Sequence, residues 1–283
     1  MTGQPGNELA NEGDFVQLLG SGYKSHFIQL KKSEVFQTHR GVIAHDDIIG
    51  QKWGTCLHSH QGNPFYLMQP SLGDVLKNLK RNTQIMYPKD IGYAIMVMGI
   101  GPGQTVLEAG TGSGALTCAF AFLVGDAGRV ISYDRKAEIQ ELAAKNLAKM
   151  GLSSRVIFKA RDISEGFDER NADALFLDIP NPYDYIEQVK TALKPGGFFG
   201  SILPTMNQVS LLLEKLNHAN FAFIEVCEVL LRFYKTDWER FRPTDRMVAH
   251  TGFLIFARSV LEFDQKIETT RDTIESDEES SPN

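Results

Sequence analysis

A glycine-rich turn between an apolar run and an amphipathic stretch constrains this chain most. Thr105-Val-Leu-Glu-Ala109 leads into Gly110-Thr-Gly112-Ser-Gly114-Ala115, and residues 114–124 continue with helical spacing. Glycines at such a strand-to-helix turn let a ligand approach backbone N–H groups at a helix N-terminus. The alternation repeats downstream. Apolar runs at 130–134, 156–160, 174–178 and 198–203 are separated by amphipathic stretches at 136–150, 184–193 and 206–218. Strands alternating with helices predict a Rossmann-like α/β fold with a mostly parallel sheet covered on both faces. Runs at 223–231 and 252–257 have no helix between them, so they should finish a seven-stranded sheet as a hairpin with one antiparallel strand.

The N-terminal part is patterned differently. FVQLL (15–19), HFIQL (26–30) and PFYLM (64–68) are short and broken by turn signals at 20–22, 39–41 and 60–63. Residues 15–70 are therefore expected to form a small β-rich domain, and 71–260 a linker helix and a cofactor-binding domain. Residues 1–14 are polar and acidic and read as a disordered terminus. Residues 261–283 hold eight acids and two bases and read as an acidic disordered tail.

Cys56, Cys118 and Cys227 are far apart and odd in number, which excludes a disulfide scaffold and a CxxC metal site. The mixed histidine spacing gives no ligand set, so no metal is expected. Without a secretory leader or an uninterrupted membrane-length apolar segment, a reducing, cytoplasmic location is expected.

The glycine turn alone also satisfies G-x-G-x-x-A and leaves a dinucleotide oxidoreductase open. Acids at the strand ends tilt the reading toward S-adenosylmethionine. Glu108, two residues before Gly110, is placed to face the ammonium or sulfonium side, where a pyrophosphate would be repelled. Asp134 ends the second strand and can accept both ribose hydroxyls, a role that nicotinamide enzymes share. Asp162 follows the third strand and can accept from an adenine exocyclic amine. Asp178 ends the fourth, ahead of Pro180 and Pro182, in a loop the prolines stiffen at the edge where a methyl group would point.

Several segments together resemble the tRNA (adenine-58-N1)-methyltransferases, a family of class I methyltransferases. They are FQTHRGVIAHDDIIG (36–50), RNTQIMYPKD (81–90), VLEAGTGSGALT (106–117), FLDIPNPYD (176–184), LKPGGFFGSILPTMNQV (193–209) and RPTDRMVAHTGFLIFAR (242–258). The resemblance is collinear over residues 15–260. It implies a class I methyltransferase fold, a homotetramer and methylation at N1 of an adenine in the tRNA T-loop. It gives Asp178 the catalytic role: a carboxylate beside the adenine N6 orients the base and balances the charge developing on it. The resemblance also implies that Gln84 contacts S-adenosylmethionine and that Tyr87 lies against the target adenine. It makes His250 a candidate active-site residue. Gly110 and the backbone turn Ser113, Gly114, Ala115 and Leu116 would hold the cofactor, with Ile139 as an apolar lip. Many members carry Asp and Trp where this chain has Asn181 and Tyr183, which leaves the key carboxylate in place.

The net charge of −6 equals that of residues 261–283, and residues 15–89 carry nine bases against four acids. An RNA partner is thus compatible with the overall acidity. Arg232, Lys235, Arg240, Arg242 and Arg246, interleaved with Phe233, Tyr234, Trp238 and Phe241, form a second basic group between the last two strands. A T-loop adenine must be extruded to reach the pocket. Two alternatives remain at this level: a methyltransferase of a protein or small molecule, and a non-catalytic tRNA-binding subunit. The acidic tail is expected to compete with RNA for the basic face.

Overall fold

The computed structural model describes residues 7–82 and 84–262. The N-terminal part contains β1 (Phe15–Gly20), β2 (Ser25–Gln29), β3 (Val35–Thr38), β4 (Gly41–Ala44), the one-turn α1 (His45–Ile48), β5 (Cys56–His58) and β6 (Pro64–Met68). Strands β2-β1-β6-β5 form an antiparallel sheet, and β3 and β4 pair as a separate hairpin. Leu18, Phe36, Phe65 and Leu67 are buried in a core of their own. Phe15 reaches out of β1 and packs on the core of the C-terminal part.

Residues 9–14, expected to belong to a disordered terminus, are instead ordered against the sheet. Leu9 bridges Lys52, Ala10 N donates to Gln51 O at 2.9 Å, and Ala10 and Asp14 are buried. Backbone hydrogen bonds hold this stretch, and composition does not register them. Residues 1–6 and 263–283, with nearly all of the acidic tail, lie outside the described residues.

The rest of the chain comprises α2 (Leu72–Lys77), α3 (Pro88–Val97), β7 (Thr105–Ala109), α4 (Ala115–Val124), β8 (Arg129–Asp134), α5 (Ala137–Lys149), β9 (Val156–Ala160), β10 (Ala172–Leu177), α6 (Ile186–Ala192), β11 (Leu193–Leu203), α7 (Met206–His218), β12 (Phe221–Cys227), β13 (Tyr234–Lys235), β14 (Arg242–Pro243) and β15 (Phe253–Ser259). Local chemistry sets the helix starts. Ser71 and Asp74 form a reciprocal capping box on α2, and Pro88 opens α3 where a missing N–H costs nothing.

The large sheet has the order β12-β15-β11-β10-β7-β8-β9. Only β15 runs against its neighbours, pairing antiparallel with both β11 and β12. This is the class I methyltransferase arrangement. Helices α3, α4 and α5 cover one face through Ile91, Ala94, Phe120 and Leu147. Helices α6 and α7 cover the other through Val189, Leu212 and Leu216. Phe176 in the central β10 is fully buried and meets Phe120 edge-on at 6.4 Å. Truncating such a ring costs about 3–5 kcal/mol. The stiff sheet fixes the C-terminal ends of β7, β8 and β10 side by side. No helix among the described residues is long and apolar enough to cross a membrane.

Candidate active site

At that edge lies a cavity of about 510 Å³ lined by Gln84, Gly110, Asp134, Ile139 and Asp178, among others. Four sequence motifs thus meet: the segment before α3, the glycine turn, the end of β8 with the start of α5, and the loop after β10. Asp178 is fixed through its backbone, its N–H donating to Ala109 O at 2.9 Å. Gly110 sits at φ +97°, and any Cβ there would collide with the Asp178 carbonyl. Only glycine permits this approach. The Asp178 carboxylate has no hydrogen-bond or ion-pair partner among the described side chains, and burial pushes its carboxyl up to about 6.

Asp134 faces the cavity at the end of β8 and accepts from Lys136 N at 3.1 Å. The other oxygen leaves capacity for a diol. Gln84 forms part of the wall, and Ile139 supplies an apolar patch from α5.

Other candidates sit elsewhere. Gly114 begins α4 in the left-handed region at φ +82°, where a Cβ would come 2.8 Å from the Ala143 Cβ. Ser113, Ala115 and Leu116 are buried behind the turn and do not line the cavity. Asp162 also stays outside it. One carboxylate oxygen accepts from Ser164 N at 2.9 Å and the other faces Arg135 Nε at 3.0 Å, while its neighbours Arg161 and Ile163 line the wall. Tyr87 is the N-cap residue of α3, 38% exposed and outside the cavity lining. His250 lies at the same sheet edge, its Nδ1 2.5 Å from Glu228 Oε1 and its Nε2 3.0 Å from Pro204 O. These two acceptors hold its pKa above the ordinary histidine value.

Glu108 does not face the cavity. It is fully buried beneath the turn, accepting from Thr117 Oγ1 at 2.6 Å and Ser132 Oγ at 2.8 Å, and its Oε1 has no partner. Desolvation raises its carboxyl to about 8. Its two hydroxyl contacts brace the turn from beneath.

Sequence reasoning did not single out Arg135, Lys136, Arg161 and Ile179 as lining residues. Each adjoins a strand-end acid or follows it closely, so the signal was position relative to the strand ends, not residue type.

The residues present suit S-adenosylmethionine. The cavity has the volume of a small-ligand site, Asp134 offers a carboxylate for ribose hydroxyls, and bare glycine backbone admits close approach. Among the described residues no cluster could hold a metal ion.

Between β12 and β15 the chain leaves the sheet as an arm, residues 228–252, carrying β13 and β14. Tyr234 and Phe241 stack at 5.1 Å, while Trp238 and Phe241 are 87% and 68% exposed. Lys235 and Arg242 pair with Asp245. Arg232, Arg240 and Arg246 have no ion pair among the described residues.

Residues 65–242 match the family model of the tRNA methyltransferase complex GCD14 subunit, and residues 10–62 match the TrmI-like N-terminal model. The tRNA (adenine(57)-N(1)/adenine(58)-N(1))-methyltransferase TrmI of Methanocaldococcus jannaschii is 36% identical over 82% of this chain and 90% of its own length. The crystal structure of the tRNA (m1A58) methyltransferase TrmI from Aquifex aeolicus superposes with a TM-score of 0.76 at 34% identity, covering 90% of this chain and all of that one. A structure described as a SAM-dependent O-methyltransferase from Thermotoga maritima gives a TM-score of 0.84 at 42% identity, covering 94% and 99% of the two chains. With both its N-terminal part and its methyltransferase core matched in collinear order, the chain belongs to the tRNA (adenine-58-N1)-methyltransferase family.

Proposed function

We propose that this protein methylates N1 of adenine 58 in the T-loop of tRNA, using S-adenosylmethionine. The observation that carries the proposal is Asp178: a half-buried carboxylate, without a side-chain partner among the described residues, locked against the glycine turn on the wall of the cavity. When bound, S-adenosylmethionine supplies an electrophilic methyl group on a sulfonium. Adenine N1 already carries its lone pair at neutral pH, so the protein has to align it more than deprotonate it. Asp178 accepts from the adenine N6 amine, turns N1 toward the methyl group, and balances the positive charge that grows on the ring. Asp134 holds the ribose hydroxyls and Gln84 closes the wall beside the methyl donor. Gly110 and Ile139 line the rest of the cofactor site, and Ser113, Gly114, Ala115 and Leu116 support the glycine turn from behind. Tyr87 rests against the extruded base.

The basic segment 15–89 and the arm bind the tRNA backbone, and the exposed rings of the arm stack on RNA bases or on a second subunit of a homotetramer. The cytoplasm supplies both tRNA and the methyl donor.

The O-methyltransferase description of the Thermotoga maritima relative favours one second reading, transfer to oxygen. A hydroxyl acceptor must lose its proton, and a carboxylate with a pKa of about 6 is a weak base for that. Nucleoside mass spectrometry of unmodified tRNA incubated with the protein and labelled donor separates the two. The expected product is 1-methyladenosine at position 58. Label on oxygen, or none in RNA, defeats the proposal.

A further inference from the structure

The first turn of α3 holds an ion pair almost closed to solvent. The Lys89 and Asp90 side chains are 8% and 0% exposed, with Lys89 Nζ 2.7 Å from Asp90 Oδ1. A charge taken out of water needs all its hydrogen bonds satisfied. Lys89 Nζ donates to Val229 O at 2.7 Å and Thr251 Oγ1 at 2.5 Å as well. Thr251 Oγ1 in turn donates to Asp90 Oδ2 at 2.7 Å. The ring closes through three distant pieces of chain: the start of α3, and both stems of the arm.

Well-packed apolar residues stabilise a buried site at least as well as an ion pair does. The ring's particular contribution is geometry. Asp90 N and Ile91 N both donate to Tyr87 O, at 2.9 and 3.0 Å. Ile85 and Met86 are buried in the core beneath. At the upstream end, Asn146 Nδ2 donates to Lys80 O and to Ser113 O, each at 2.9 Å. Contacts thus pin Lys80 upstream and Tyr87 to Asp90 downstream, and Gln84, on the cavity wall, lies between them in sequence. The arm is pinned a second time, by His250 between Glu228 and Pro204.

We infer that Lys89, Asp90 and Thr251 are positioning residues for methyl transfer, fixing the Gln84–Tyr87 segment, which carries Gln84 onto the cavity wall, relative to the stems of the arm. RNA engaged by the arm and the donor in the cavity are thereby held in register. This rests on the methyltransferase function proposed above.

The full-length variants Thr251→Val and Thr251→Ser test it. Valine keeps the shape and removes the hydroxyl; serine restores the hydroxyl. Rates on tRNA are normalised to protein that binds S-adenosylmethionine in calorimetry, so lost stability alone leaves kcat unchanged. Thr251→Val should lower kcat at least tenfold with KM for tRNA changed less than threefold, and Thr251→Ser should recover to within threefold of wild type. A triple variant, Lys89→Met, Asp90→Leu and Thr251→Val, exchanges the ring for apolar packing. It should stay folded and remain as slow as Thr251→Val. Wild-type kcat in Thr251→Val or in the triple variant overturns the inference, as does equal loss in the valine and serine proteins. An inactive wild type overturns the functional proposal instead.

Discussion

Gly110 and Asp178 touch so closely that a single methyl group on the glycine would overlap the aspartate's carbonyl. The glycine turn and the loop after β10 are therefore one joint. Gly110→Ala must open it and also strain a backbone at φ +97°. We expect a stability loss of about 1–3 kcal/mol and a kcat/KM decrease of at least ~100-fold. Urea unfolding and initial rates check both.

Replacing Asp178 separates function from stability. Asp178→Asn should lower single-turnover methylation by about 100–1,000-fold while S-adenosylmethionine still binds. Burial raises the folded pKa to about 6. The folded state therefore holds its proton more tightly than the unfolded chain. Stability from this group is present below the unfolded pKa and is lost as pH rises through about 6. Asp178→Asn should accordingly be more stable than wild type at pH 8, by about 1–3 kcal/mol, and show no gain at pH 4. Thermal denaturation at both pH values checks this.

The same carboxyl predicts a pH–rate profile. Only the ionised form can balance the charge that grows on the ring while accepting from N6. The single-turnover rate should rise with pH through about 6 and then level off. A rate independent of pH between 5 and 8 would remove Asp178 from the role.

Asp134 should govern donor affinity and leave the chemistry largely alone. A charge-assisted hydrogen bond contributes about 1.5–3 kcal/mol. Asp134→Ala is expected to weaken S-adenosylmethionine binding by about 10–100-fold, with kcat at saturating donor reduced far less. Calorimetry and saturation kinetics distinguish these outcomes.

Removing the unpaired cations of the arm should change salt dependence. Each lost phosphate contact lowers the slope of log affinity against log salt by about 0.7–0.9. Arg232→Ala, Arg240→Ala and Arg246→Ala combined should flatten the slope for tRNA by about 2 and leave donor binding untouched. Filter binding across salt concentrations reads the slope directly.

The sheet was legible because strands buried on both faces read as unbroken apolar runs. TVLEA matches the buried β7 residue for residue; VIFKA matches β9 as closely, although that edge strand is only partly covered. The strand-end rule likewise led to Asp134 and Asp178, which both face the cavity. Asp162 followed the same rule, yet its carboxylate is occupied by Arg135, a pairing across the fold that no spacing announces. Glu108 fits the motif position, but its side chain turns under the loop toward Thr117 and Ser132. Partners contributed by other strands decide where a carboxylate points. The anchoring of residues 7–14 depends on backbone contacts that leave no mark on composition.

The reversed direction of β15 makes the arm an insertion within a hairpin. Its stems are closed by β12–β15 pairing and by the contacts of Lys89 and His250. Lengthening a flexible loop between fixed ends costs only about 0.6 kcal/mol per doubling. The stretch between the stems can therefore change in length at little cost in stability, while Val229, His250 and Thr251 keep its two ends fixed against the sheet edge.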